Sequence, residues 1–269
     1  MLAIGILLFL CAGVLAGLLA SLLGLGGGVI MVPVLYIYMH FVLDVPTEIQ
    51  MHMAVATSLM VMIPLTINAI FQKIRGGHLL WKTGRFMVLG ALFGSLLGVL
   101  IAPYLHSGVL RILFIVFVSY VLLRSTFKKQ FTASYQLENF QMPAWYIYSP
   151  VMALVGALSV LLGIGGGSIA VPFLRRYKMP MVYATALSLM IMVFNPIVGS
   201  IGYIAVSAHL QHLPPYSLGY VYLPGFIGMA LGSFVGAPMG NRLLMRLSDT
   251  QVARIFLIVL LIIVITMII

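Results

Sequence analysis

The sequence predicts an all-α polytopic membrane protein, built as two inverted-topology repeats whose helices are interrupted or re-entrant at glycine-rich breaks. Three observations carry this prediction. Of 269 residues, 63% are apolar and 7% charged, against roughly 45–50% and 25% in soluble chains. The chain contains itself twice, at an offset of 139 residues. Each copy holds a G-x-G-G-G cluster inside an apolar stretch.

Composition excludes other classes first. The 14 basic and 4 acidic side chains are too few to build a water-facing surface for this length. The formal charge of +10 is no nucleic-acid footprint, because the basic residues sit in short loops between apolar runs. There they read as topology signals. The single cysteine, Cys11, lies in an apolar run and is expected as a small buried residue. The start of the chain has no basic n-region and no twin arginine, so residues 2–23 read as a first span and not a cleaved leader.

A hydrocarbon core about 30 Å thick needs roughly 20 apolar residues per helix. Eight runs meet this: 2–23, 52–72, 86–105, 109–127, 144–163, 182–206, 217–238 and 252–269. Two shorter stretches, 28–42 and 167–174, follow the glycine clusters and read as half-helices that return to the side they came from. With those returns, 13 of the 14 basic residues share one face and only Arg111 lands opposite. The positive-inside rule makes that face cytoplasmic. The loops with Asp44 and Glu48, and with His209 and His212, then lie outside, as do both termini. The expected location is the cytoplasmic (inner) membrane.

The repeat spans nearly the whole chain, as halves 1–127 and 142–269 joined by a cytoplasmic linker at 128–141. Residues 14–35 read VLAGLLASLLGLGGGVIMVPVL and residues 153–174 read ALVGALSVLLGIGGGSIAVPFL. Further on, Ala56-Thr57-Ser58-Leu59-Met60 matches Ala186-Leu187-Ser188-Leu189-Met190, and Gly90, Gly94, Ser95 and Gly98 match Gly228, Gly232, Ser233 and Gly236. The topology makes the two copies antiparallel. Inverted repeats with interrupted helices are the architecture of many secondary transporters.

The clusters are the most informative feature. Consecutive glycines break a helix, and at membrane depth a break survives only where protein or a cavity covers it. The segment after each break starts a new helix whose first N–H groups have no partner, and that end carries roughly half a positive charge. Two such ends converging make an anion site without a basic side chain. Gly26, Gly27, Gly28 and Val29 in the first copy, and Gly165, Gly166, Gly167 and Ser168 in the second, are the candidate backbone donors. The rows Gly90, Gly94, Gly98 and Gly228, Gly232, Gly236, Gly240 repeat every four residues, the spacing of close helix packing.

Side-chain candidates lie on the two repeat-related spans. Thr57, Ser58, Asn68, Thr185, Ser188 and Asn195 can donate hydrogen bonds to oxygens. Helical Ser and Thr usually bond back to their own backbone, so for Ser58 and Ser188 both readings stand. Asn195 precedes Pro196 and is costly in lipid, which favours a functional role. The spans hold no carboxylate in their middles, which fits an anionic cargo better than a cationic one. His52 is expected as an interfacial group at a span's mouth, and Trp81 and Trp145 as interface anchors. No convergent cluster suggests a metal, a cofactor or an embedded enzyme. The expected partners are a small anion and the bilayer, not nucleic acid.

Two copies of G-[LI]-G-G-G-x-[IV]-x-V-P, each followed by an A-[TL]-S-L segment and a glycine-rich span, resemble the TauE/SafE sulfite-exporter family across essentially the whole chain. The resemblance implies a permease of small sulfur-containing anions such as sulfite, sulfoacetate or related organosulfonates. Leu187 replaces the threonine in the second A-T-S-L copy, which makes the site less symmetric. A passive anion channel sharing the helix-end site, or a carrier of sulfate, thiosulfate or a small carboxylate, is the alternative. In a chain whose Cys11 is replaced by serine, a cysteine at position 78 or 129 is expected to escape an impermeant thiol reagent in intact cells. Labelling there contradicts the orientation.

Overall fold

A computed structural model of the chain describes residues 2–23, 27–75, 77, 79–127, 144–207, 213–244 and 249–268. The described residues form ten α-helices: α1 (Leu2–Leu23), α2 (Gly28–Phe41), α3 (Gln50–Arg75), α4 (Trp81–Ile101), α5 (Ser107–Phe127), α6 (Trp145–Leu162), α7 (Gly167–Arg176), α8 (Met181–Val206), α9 (Leu223–Leu244) and α10 (Asp249–Ile268). The linker expected at 128–141 and the loop with His209 and His212 lie outside the described residues. Among these residues, α3, α4, α6, α8 and α9 are long and apolar enough to cross a bilayer. The helices α1, α5 and α10 are 22, 21 and 20 residues long.

Span bounds shift by up to six residues from the sequence expectation, with α4 at 81–101 in place of 86–105, and one expected span start is not helical. Residues 217–222 are not the start of a span but a small hairpin, β1 (Ser217–Leu218) and β2 (Val221–Tyr222), ahead of α9. Hydropathy does not separate this aromatic run from a helix, but Gly219 turns the chain at φ +56°. Backbone N–H groups then find side-chain acceptors across the bundle: Tyr220 donates to Ser207 Oγ and Tyr222 to Thr57 Oγ1, each at 3.0 Å.

Small residues set the helix pairs. A Cβ at Gly90, Gly94 or Gly98 of α4 would fall on Ser149, Ala153 or Ala157 of α6. Contacts rising together on both helices mean that α4 and α6 run parallel. The same lacing joins α1 to α9: Gly13 and Gly17 meet Met229 and Ser233, and Gly228, Gly232 and Gly236 meet Phe9, Leu10 and Val14. Along α4 and α8 the order is again shared, with Gly84 against Leu187 and Met190 and Gly202 against Val99. By contrast α3 and α8 are antiparallel, since His52 faces Tyr203 while Leu59 faces Gly199. So are α5 and α10, where Arg111 Nε donates to the Met267 carbonyl at 2.6 Å.

Two hydrophobic cores follow from these pairs. One joins α4 to α6, α7 and α8; the other joins α9 to α1, α2 and α3, with α5 and α10 beside them, and takes in the end of α6 at Val160–Leu162 and Tyr203 of α8. Each sequence half therefore lends its fourth helix to the other. The directions of α3, α4, α6 and α8 bring Lys73, Arg75, Lys82, Arg85, Arg175, Arg176 and Lys178 to one end of the bundle, and Asp44 and Glu48 to the other. Arg111 is no loose exception, because its guanidinium donates to the Met267 carbonyl near the end of α10 and lies 5.3 Å from the Tyr36 ring.

Two expectations are corrected. Cys11 is exposed, on an outer face of α1 shared with Leu7, Leu8 and Leu15, where an apolar environment would be lipid and not a core. His52 is buried: Nε2 lies 3.1 Å from the Ala102 carbonyl and the ring stacks 5.3 Å from Tyr220 under the hairpin. Trp81 and Trp145 are exposed at the shared N-terminal end of α4 and α6. Gly94→Ala puts a methyl onto the Ala153 carbonyl, and overpacking of this kind costs about 1–3 kcal/mol. The expected outcome is a lower unfolding temperature and folded yield in detergent, with transport per folded molecule largely kept.

Candidate functional site

Both half-helices open in the same way. The Gly27 carbonyl accepts from Ile30 and Met31 N–H at 3.0 Å, and the Gly166 carbonyl from Ile169 and Ala170 N–H at 3.2 and 3.0 Å. The N–H groups of Gly28 and Val29, and of Gly167 and Ser168, precede these first helical bonds and have no partner within their helices. Gly24 and Gly26 lie outside the described residues, so the first break is described from Gly27 onward.

The two breaks reach their helix starts differently. Gly163 caps α6 at φ +68°, and Gly165 and Gly166 stand at φ +70° and +91°. That left-handed region costs an L-residue roughly 1–2 kcal/mol. Gly27, in contrast, has φ −67° and ψ −11°, an ordinary helical geometry, and only the flexible end of Met31 crowds its missing Cβ.

The breaks meet. A Cβ on Gly28 would fall on the Gly163 carbonyl and 2.9 Å from Ile164 Cα. Ser58 ties this junction to α3, because its hydroxyl lies 3.0 Å from the Gly163 carbonyl and 2.9 Å from that of Val55. Its one proton is shared between its own helix and the break. Ser188 bonds back to the Thr185 carbonyl at 2.9 Å. The repeat counterpart of Gly163 on its side is Gly24, outside the described residues.

Asn195, fully buried, reaches the second break from α8. Its Nδ2 lies 3.4 Å from the place where a Gly166 Cβ would stand, and it has no hydrogen-bond partner. Ser168 Oγ, also buried, has none either. Unsatisfied buried donors are rare in folded proteins and call for an account. Thr57 is buried one residue from Ser58, but its hydroxyl oxygen is engaged by Tyr222 N–H on the hairpin side. Asn68 is exposed, and Thr185 bonds back to its own helix. So the structure gathers Gly28, Ser58, the 163–168 segment and Asn195 around one junction, and turns Thr57 to a neighbouring face.

Sequence reasoning missed three side chains here. Ser95 Oγ lies 2.8 Å from Asn195 Oδ1. It sits in the small-residue row that reads as packing, although its recurrence as Ser233 was a visible signal. Met62 and Met192, repeat-equivalent on α3 and α8, both bring a terminal methyl against Gly165. Arg175, buried in the last turn of α7, donates to the Met179 carbonyl at 3.1 Å. It lies seven residues past Ser168, about 10 Å along the helix, so the positive potential at the junction comes from backbone and amide. No group of three or more His, Cys, Asp or Glu that could hold a metal occurs among the described residues.

Comparison with known proteins shows the family. The family model described as sulfite exporter TauE/SafE matches residues 9–267. A probable membrane transporter protein of Haemophilus influenzae is 28% identical over 97% of both chains. Probable membrane transporter proteins of Methanocaldococcus jannaschii and Bacillus subtilis are each 28% identical, over 90% and 86% of this chain and 87% and 88% of their own lengths. No solved structure gives a significant match.

The two glycines predict different costs. Gly166→Ala is expected to lower stability by about 1–2 kcal/mol through its backbone conformation, read as a drop in unfolding temperature. Gly27→Ala should leave that temperature nearly unchanged.

Proposed function

We propose that this chain, which belongs to the sulfite exporter TauE/SafE family and is a membrane transporter of that type, exports small sulfur-containing anions such as sulfite or an organosulfonate by alternating access. The carrying observation is the meeting of the two glycine breaks beside a buried amide nitrogen, Asn195 Nδ2, without a partner. A dehydrated anion needs donors. The helix starts at Gly28–Val29 and Gly167–Ser168 supply backbone N–H groups, Ser168 and Asn195 are the side-chain donors without a partner, and Ser58 and Ser188 would join them by releasing the Gly163 and Thr185 carbonyls. A helix end contributes up to about 2 kcal/mol when partly buried. Two ends with side-chain donors hold a cargo in the micromolar to millimolar range that turnover requires.

The helix directions support two halves related by a two-fold axis in the membrane plane. That operation makes α3 antiparallel to α8 and α5 antiparallel to α10, and turns the α1–α9 seam into the α6–α4 seam. An axis along the membrane normal would leave α3 and α8 parallel. In this reading α1, α3, α4, α5, α6, α8, α9 and α10 are eight spans, and α2 and α7 are half-helices. The basic end faces the cytoplasm and both termini face outward. The moving bodies are then the two cores, α1–α2–α3–α9 and α4–α6–α7–α8. The junction of Gly28 with Gly163 lies between them, so tilting one against the other opens it to one face at a time.

Thermal unfolding of the purified protein with sulfite, sulfate, thiosulfate, sulfoacetate and small carboxylates tests the cargo. An anion at 100 times its Kd adds about 2.7 kcal/mol, roughly 5–10 °C for a chain of this size. A sulfur oxyanion should give that shift and carboxylates should not. In proteoliposomes, sulfite flux should saturate and exchange across the membrane, and Gly28→Leu should abolish it. Non-saturating conductance favours a channel, and absence of stabilisation by every anion overturns the site.

A further inference from the structure

Ser95 Oγ has two neighbours that accept hydrogen bonds: Asn195 Oδ1 at 2.8 Å and the Gly156 carbonyl at 3.5 Å. The longer contact does not compete for the single hydroxyl proton. With that proton committed, Oδ1 is the amide's acceptor end and Nδ2 is left facing Gly166 as a pure donor. All three partners are buried, Ser95 and Asn195 completely and Gly166 inside the break, so water does not readily reassign the roles. Asn195 also has no equivalent in the first repeat, where Leu65 takes its place. Among the described residues, the amide of the junction therefore stands on the second break.

We infer that Ser95 is a positioning residue that locks the Asn195 amide as a donor, and that the junction thereby selects oxyanions presenting only acceptor oxygens over those that carry a hydroxyl. The inference rests on the reading of the breaks as the anion site and adds the class of anion admitted. A ligand oxygen without hydrogen accepts from Nδ2 and from the N–H groups of the α7 start. A ligand hydroxyl turned to the same place sets hydrogen against hydrogen. Sites built to bond a particular polar group reject analogues that leave it unpaired far more strongly than they reject a change of size. Without the Ser95 hydroxyl the amide is free to turn over and offer Oδ1, so the preference should collapse while the site itself persists.

Methanesulfonate and methylphosphonate test this directly. Below the second ionisation of the phosphonate the two are close in shape and carry the same single charge, and differ by one hydroxyl. Binding of each to the purified full chain is measured by calorimetry or ligand-induced thermal stabilisation. Wild type should bind methanesulfonate at least ten-fold more tightly. Ser95→Ala should bring the two affinities within about three-fold, mainly by admitting the phosphonate, and Asn195→Leu should weaken both. Equal binding of the two probes to wild type overturns the inference while the anion site stands, and this arm needs no variant to fold. Ser95→Ala with the wild-type ratio and an unchanged unfolding temperature overturns the role of Ser95. No binding of either probe, nor of sulfite, overturns the anion site and the inference with it.

Discussion

A peptide group in a lipid-covered bundle has no water to turn to, and each one left unpaired costs several kcal/mol. This chain interrupts a helix at two such places, and the arrangement around them follows from covering the gaps. Gly28 lies against the Gly163 carbonyl, and Ser58 brings a hydroxyl to that same oxygen. Val55, Ser58 and Met62 share one face of α3, so a single helix face backs the second break along much of its length. Among the described residues, what is left uncovered at the second break is a small set of donors, Ser168 Oγ and Asn195 Nδ2.

The long helices make this possible through their seams. Four-residue glycine spacing brings the backbones of α4 and α6, and of α1 and α9, into direct contact. In lipid there is little hydrophobic drive between helices, so such close packing supplies much of the attraction. The seams also carry polar cross-links of matching design: Ser233 donates to the Gly13 carbonyl at 3.0 Å, while Ser95 on the other seam turns to Asn195. A pair of equivalent serines has thus diverged, one as a fastener and one as part of the candidate site.

Much of this was legible in the sequence because the repeat states the same constraint twice. The three adjacent glycines of GGGVIMVP and GGGSIAVP point to a break and a restart, and Gly94 or Gly232 in a four-residue row points to a close approach. The half-helix bounds fall within a residue or two of where the glycines put them. The hairpin at 217–222 was not legible, because an apolar aromatic run has the same hydropathy whether it is strand or helix. Thr57 and Ser58 also looked alike in the motif. Neighbouring residues on a helix point about 100° apart, and only the packing of α3 decides which of them meets the break. Ser95 was hidden for the same reason, since its partner is 100 residues away on a different helix.

The exchange of fourth helices has a consequence for biogenesis. When α1 leaves the ribosome, the surface that Gly13 and Gly17 will lace lies 216 residues further along the message, at Met229 and Ser233. At 5–20 residues per second that is a delay of about 10–40 s. During that interval α1 stands in the membrane with its most closely packing face against lipid or an insertion factor. The α4–α6 seam, separated by only 59 residues, closes first. The second core is therefore complete while the first still waits, and the amino-terminal helix is among the last to find its place.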